Sequence, residues 1–119
     1  METVNLQDKF RLITDQWHPR ILGEVNDCAI KAVKLKGEFI WHRHDHEDEL
    51  FLVTKGTLRM KFRDHEAVVR EGEFVIVPRG VEHMPVADEE VHLVLIEPKS
   101  TLNTGNVINE RTVAQPERL

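Results

Sequence analysis

Cysteine occurs once, at Cys28, so no intrachain disulfide can form and no cysteine cluster exists to build a closed structural zinc site. A reducing, cytoplasmic location is the default expectation for such a chain. Basic residues are outnumbered, 16 against 21 acidic, for a formal charge of −5, and they form no cluster. That balance argues against nucleic acid and against anionic membrane surfaces as partners. No apolar run reaches the length needed to span a bilayer, and the N-terminal residues, Met1 to Asp8, lack the basic and apolar regions of a signal peptide. No internal repeat is present. Over residues 20–97 no helix-length periodicity appears, which excludes an alternating βαβ fold.

What remains is ordinary globular composition in 119 residues, enough for one domain with a real core. Val4, Leu6, Phe10, Ile13 and Trp17 recur at spacings of three or four, so a short N-terminal helix is expected in 4–17, capped by Asn5 or Thr3 and ended by His18-Pro19. Strand signals then follow one another: 21–25, 29–36, 39–44, 50–54, 57–63, 66–70, 74–77, 82–87 and 91–96. Turn residues separate them, among them Lys55-Gly56, Glu71-Gly72, Pro78-Arg79-Gly80 and the acidic Asp88-Glu89-Glu90. Many short strands with frequent turns read as an all-β sandwich or barrel. The expected organisation is an N-terminal helical arm (1–19), a β-barrel (20–97) and a C-terminal tail (98–119) whose order is left open. Both faces of 50–53, 74–77 and 91–96 are apolar; one barrel interior cannot bury both, so a homodimer is expected.

The densest chemistry lies in His42-Arg43-His44-Asp45-His46-Glu47-Asp48-Glu49. His42 and His44 are two apart and share one face of an extended strand. Glu49 opens the apolar run Leu50-Phe51-Leu52-Val53, and His83 follows the Pro78–Gly80 turn, where a barrel can bring it beside the first group. Three imidazoles and one carboxylate are borderline ligands that leave two positions open on an octahedral ion, as a catalytic or sensing metal requires. Iron, manganese, zinc and nickel all suit such a set. His46 is expected at the rim, Asp45, Glu47 and Asp48 in a solvated turn, His18 and His65 on the surface, and Arg79 exposed near His83, in reach of an anionic substrate group. Phe51, Met60, Phe62, Phe74 and Trp41 are expected in the core or pocket wall. His92 is expected to face outward, or into a dimer contact, if Leu93 and Leu95 face the core; a shift of register would put it in the pocket.

These residues fall on two spaced motifs. Gly37, four residues, His42-x-His44, four residues, Glu49, six residues and Gly56 form the first. Gly72, five residues, Pro78-x-Gly80, two residues and His83 form the second. The chain thereby resembles small single-domain cupins, directly over 37–87 and by strand pattern over 20–97. It departs from them in a first gap one residue short and in Ala87, where the family pattern closes on asparagine. Pairing His44 with His46 instead leaves only two residues before Glu49, so the His42/His44 register fits better. Further stretches (50–53, 77–83 and 97–106) resemble bacterial cupins that carry no agreed activity, some labelled phosphomannose-isomerase-like. The resemblance implies a jelly-roll β-barrel and a divalent metal on His42, His44, Glu49 and His83. It leaves three functions open: an enzyme acting on a small oxygen-bearing metabolite, by dioxygenation or sugar isomerisation; a non-catalytic module binding a small molecule; and a metal-free structural barrel. No catalytic acid or base can be singled out beyond Glu82 and His46 as candidates.

Overall fold

The computed structural model describes residues 1–119. The chain runs through one helix, α1 (Leu6–Arg11), and seven strands: β1 (Arg20–Val25), β2 (Cys28–Glu38), β3 (Glu49–Lys55), β4 (Leu58–Lys61), β5 (Glu66–Val69), β6 (Phe74–Val77) and β7 (Met84–Pro98). All strand pairings are antiparallel, in the order β1-β2-β7-β3-β6, with β4 on β7 and β5 on β4.

β7 is the spine. Its last residues lie between β2 and β3, and its first pair with β2 and β4, so one long strand joins both sides of the barrel. The sequence signals suggested two strands here, 82–87 and 91–96, broken by Asp88-Glu89-Glu90. The strand instead passes straight through, and its acidic side chains stay exposed, two of them with partners. Asp88 takes a bidentate contact from Arg59 at 2.9 Å, and Glu90 accepts from Gln16 at 2.9 Å. The 39–44 segment also departs from expectation. It is irregular backbone with a single bridge, His42 to His83.

Alternation divides the apolar residues between two faces. Val33, Leu35, Phe51, Val53, Leu93 and Leu95 point inward with Leu58, Met60 and Val91 and form the barrel core. On the outer face Ala32 and Val94 are covered by Phe10 and Ile13. The N-terminal segment therefore folds back as a lid on the sheet. Helix α1 is shorter than its periodicity suggested: Asn5 caps it through Asp8 N–H, and it stops at Leu12, well before Pro19. The rest of the outer face is open, with Phe74, Ile76 and Ile96 exposed. Phe74 thus belongs neither to the core nor to the pocket wall, because β6 is an edge strand whose outer face nothing in the chain covers. Trp41 lies outside the interior too, half-buried under the Arg63 guanidinium at 3.9 Å.

The C-terminal tail is ordered. Asn106 N–H donates to Arg43 O, the Asn106 side chain accepts from Arg43 N–H, and Thr104 is fully buried with its hydroxyl bonded to Thr112. The tail straps the loop that carries His42 and His44.

Candidate metal centre

His42, His44, Glu49 and His83 meet inside the barrel. One ligand atom from each lies within 4.8 Å of all the others, and every one of the four is buried. Two separate stretches of sequence are locked together to make this happen. His42 N–H donates to His83 O at 3.1 Å, and His83 N–H returns the bond to His42 O at 2.9 Å. Gly80 N–H donates to His44 O at 2.8 Å, which ties the Pro78–Gly80 turn to the same loop. Asp48 braces that turn from outside by accepting from Arg79 N–H at 2.9 Å. Glu49 enters as the first residue of β3, opposite Val77 of β6.

Ring orientation is set locally as well. His42 Nδ1 lies 2.9 Å from the carbonyl of Ile40, and His83 Nδ1 lies 2.9 Å from that of Val81. A carbonyl only accepts, so Nδ1–H is the donor in both rings and Nε2 is the atom turned to the interior. His44 Nε2 and His83 Nε2 stand 3.1 and 3.5 Å from Glu49 Oε1. These three atoms, with His44 Nδ1, are buried and have no hydrogen-bond partner in the protein. Orphaned buried polar atoms are costly unless something satisfies them, and donors of this type converging on one point fit a divalent transition metal.

Electrostatics favour the same use. Burial, reinforced by the neighbouring His83, lowers His42 to about 4, so its ring is neutral and able to ligate at physiological pH. Burial would raise Glu49, but the imidazoles of His44 and His83 outweigh it and hold the carboxyl below its usual range. Behind Glu49 lies a buried ion pair absent from the sequence reading: Lys31 Nζ stands 3.2 Å from Glu97 Oε1. Burial and the charge of Glu49 push Glu97 upward, and the Lys31 ammonium opposes them by favouring the carboxylate.

Beside the four ligands is a cavity of about 40 Å³, reached by His42 and Glu49 and walled by Trp17, Phe39, Phe51 and Leu95 among others. Trp17 and Phe39 stack at 4.8 Å at its edge, and the Arg111 guanidinium lies over both rings at 5.7 and 5.6 Å. Trp17 had looked like part of a helix. Its positive φ of 63° and its bonds to Lys34 O and Lys36 O turn it onto the barrel mouth instead. Asn103 reaches the cavity, but its amide is spent on Arg111 O and Val113 N–H.

The other sequence candidates lie outside the site. Arg79 is exposed and paired with Asp48, and Glu82 is exposed and paired with Arg63 at 3.1 Å. His46 is exposed in a shallow surface groove with Ser100 and Asn106. His18 pairs with Asp15, and His65 stacks on Phe62 at the surface. His92 faces outward, where Phe10 of α1 stacks on it at 4.6 Å.

Comparison with known proteins agrees with this architecture. The family model described as Cupin domain matches residues 31–97. A cupin-2 domain containing protein from Shewanella frigidimarina NCIMB 400 superposes with a TM-score of 0.81 at 45% identity, covering 82% of this chain and 95% of that one. Protein NMB1881 from Neisseria meningitidis superposes at 0.76 with 33% identity, covering 82% and 100%. The uncharacterized protein YdbB of Bacillus subtilis (strain 168) is 38% identical over 63 residues, 52% of this chain and 56% of that protein, so the match spans little more than half of that relative's length. KdgF from Halomonas sp., at 20% identity and a TM-score of 0.60 over 68% of this chain and 79% of that one, shares the fold.

Proposed function

The chain belongs to the Cupin_2 family, and on that premise we propose that it is a metal-dependent enzyme acting on a small, largely apolar metabolite, with dioxygenation favoured over sugar isomerisation. The observation that carries this reading is the pairing of a four-ligand cluster with an apolar cavity that offers a substrate no other free polar group. A divalent ion on His42, His44, Glu49 and His83 would supply Lewis acidity and, if redox-active, the means to activate dioxygen. The protein's part is to hold three imidazoles and one carboxylate in place, and to exclude water with Phe39, Phe51 and Leu95.

A sugar phosphate fits poorly. Its hydroxyls would each be buried without a partner, at about 1–3 kcal/mol apiece. The basic residue once available for a phosphate, Arg79, is engaged with Asp48 outside the cavity. Free space of about 40 Å³ holds only a few waters or a compact head group, so a larger substrate must leave its body outside, at the mouth edged by the stacked Trp17 and Phe39. The alternative is a module that binds a small molecule without turnover, which draws support from the lack of any acid or base in the cavity besides the ligands. An oxygen-uptake screen of iron-loaded protein over small thiols, catechols and keto acids tests the choice. Uptake with one of them supports dioxygenation. Turnover of a sugar phosphate without oxygen would contradict it. Calorimetric binding without turnover of either class would leave the binding module.

We also infer a cytoplasmic homodimer. The open apolar residues Phe74 and Ile76 lie on the edge strand β6 and Ile96 lies across β3 on β7, an arrangement that suits two-fold packing against a second copy.

A further inference from the structure

The interior of the barrel contains one cation, Lys31, and two carboxyl groups, Glu97 and Glu49, in a row across three adjacent strands. Lys31 lies on β2, Glu97 on β7 and Glu49 on β3, and the register that pairs Leu50 with Ile96 sets Glu49 beside Glu97. All three are almost wholly buried, at 4, 2 and 4% exposed. A buried ammonium must have a carboxylate, and the interior offers only these two. Lys31 takes Glu97 at 3.2 Å. Glu49 is left with its Oε1 unpartnered by any hydrogen bond, turned to His44 and His83.

We propose that Glu97 is a positioning residue that occupies Lys31 and so keeps Glu49 free to ligate the metal. The pair would otherwise be hard to justify, since replacing a buried ion pair by apolar side chains is often neutral or stabilising. Without Glu97, Lys31 would have Glu49 as its only interior partner, and the lysine would compete with the ion for that carboxylate. The inference rests on the metal-centre reading above, and it is separable from it.

The test is the affinity of the full chain for Zn(II), measured by competition with a chromophoric chelator, with circular dichroism checking the fold. Glu97→Leu should weaken zinc about 10- to 100-fold, the range typical for residues that support a ligand. The double variant Lys31→Met/Glu97→Leu, which removes the competitor, should recover to within about threefold of wild type. A residue that merely filled space would give no such rescue. If Glu97→Leu does not fold, Glu97→Gln carries the test: a smaller loss of affinity, again relieved by Lys31→Met. Unchanged affinity in the single variants, or equal loss in single and double variants, overturns the inference while leaving the metal centre standing. Failure of wild-type protein to bind zinc overturns the metal centre, and the inference with it.

Discussion

His42 and His83 reach their roles by the same local device: each donates Nδ1–H to the carbonyl two residues before it and presents Nε2 inward. The four members of the buried cluster were legible because their spacing is sequential: two histidines two apart, a carboxylate opening an apolar run, and a histidine after a proline–glycine turn. His44→Ala should lower metal content while His65→Ala leaves it unchanged, as read by metal analysis of both variants; equal loss would mean that His44 is not a ligand. Lys31 and Glu97 were not legible as a pair. Lys31 has the inward parity of Val33 and Leu35, but only the β2–β7–β3 arrangement shows which acid meets it. His42 also leaves a pH signature. Its folded-state value of about 4 lies below the unfolded one near 6.5, so unfolding takes up a proton between those values. Metal-free protein should therefore lose stability as pH falls from about 6.5 to 4, by up to about 3 kcal/mol from this group. Urea unfolding across that window should show the loss in wild type and a flatter profile in His42→Phe.

At the scale of elements, local signals located strands better than they joined them. Asp88-Glu89-Glu90 has turn composition, yet the cross-strand Arg59 and the N-terminal Gln16 satisfy Asp88 and Glu90, and β7 continues. The 39–44 segment reads as a strand but makes only one bridge, to His83, and scattered backbone bonds to Pro85, Gly80 and Asn106 hold the rest of it in an irregular path that brings both histidines inward. The tail was undecidable because the contacts that tie it to the barrel, such as Asn106 with Arg43, 63 residues away, are distant in sequence. Gly105 marks the closest point. A Cβ there would sit 2.2 Å from Arg43 O and 3.2 Å from the His42 ring, at a φ of +57°. Gly72 has a φ of +79° and nothing within 4 Å. Gly72→Ala should cost about 1 kcal/mol from backbone strain alone, and Gly105→Ala distinctly more, with weaker metal binding as well. Equal costs in chemical unfolding would show that the strap does not press on the ligand loop.

For the whole molecule, the excess apolar surface evident in the sequence has two fates. Part is covered by the chain itself, through Phe10 and Ile13 on Ala32 and Val94. Part stays open at Phe74, Ile76 and Ile96, 59, 52 and 38% exposed. Light scattering should find a dimer for the wild-type chain and a folded monomer for Phe74→Lys/Ile76→Lys; a monomeric wild type would remove the proposed interface. No helix is long and apolar enough to cross a membrane. The account as a whole depends on whether the convergence of two distant motifs makes a metal site. The decisive measurement is the metal content of protein purified without an affinity tag and reconstituted with iron, manganese, zinc or nickel. One ion per chain is predicted, lost in His42→Ala/His83→Ala with the β-sheet circular dichroism retained. Fewer than about 0.1 ion per wild-type chain with every one of these metals would contradict it.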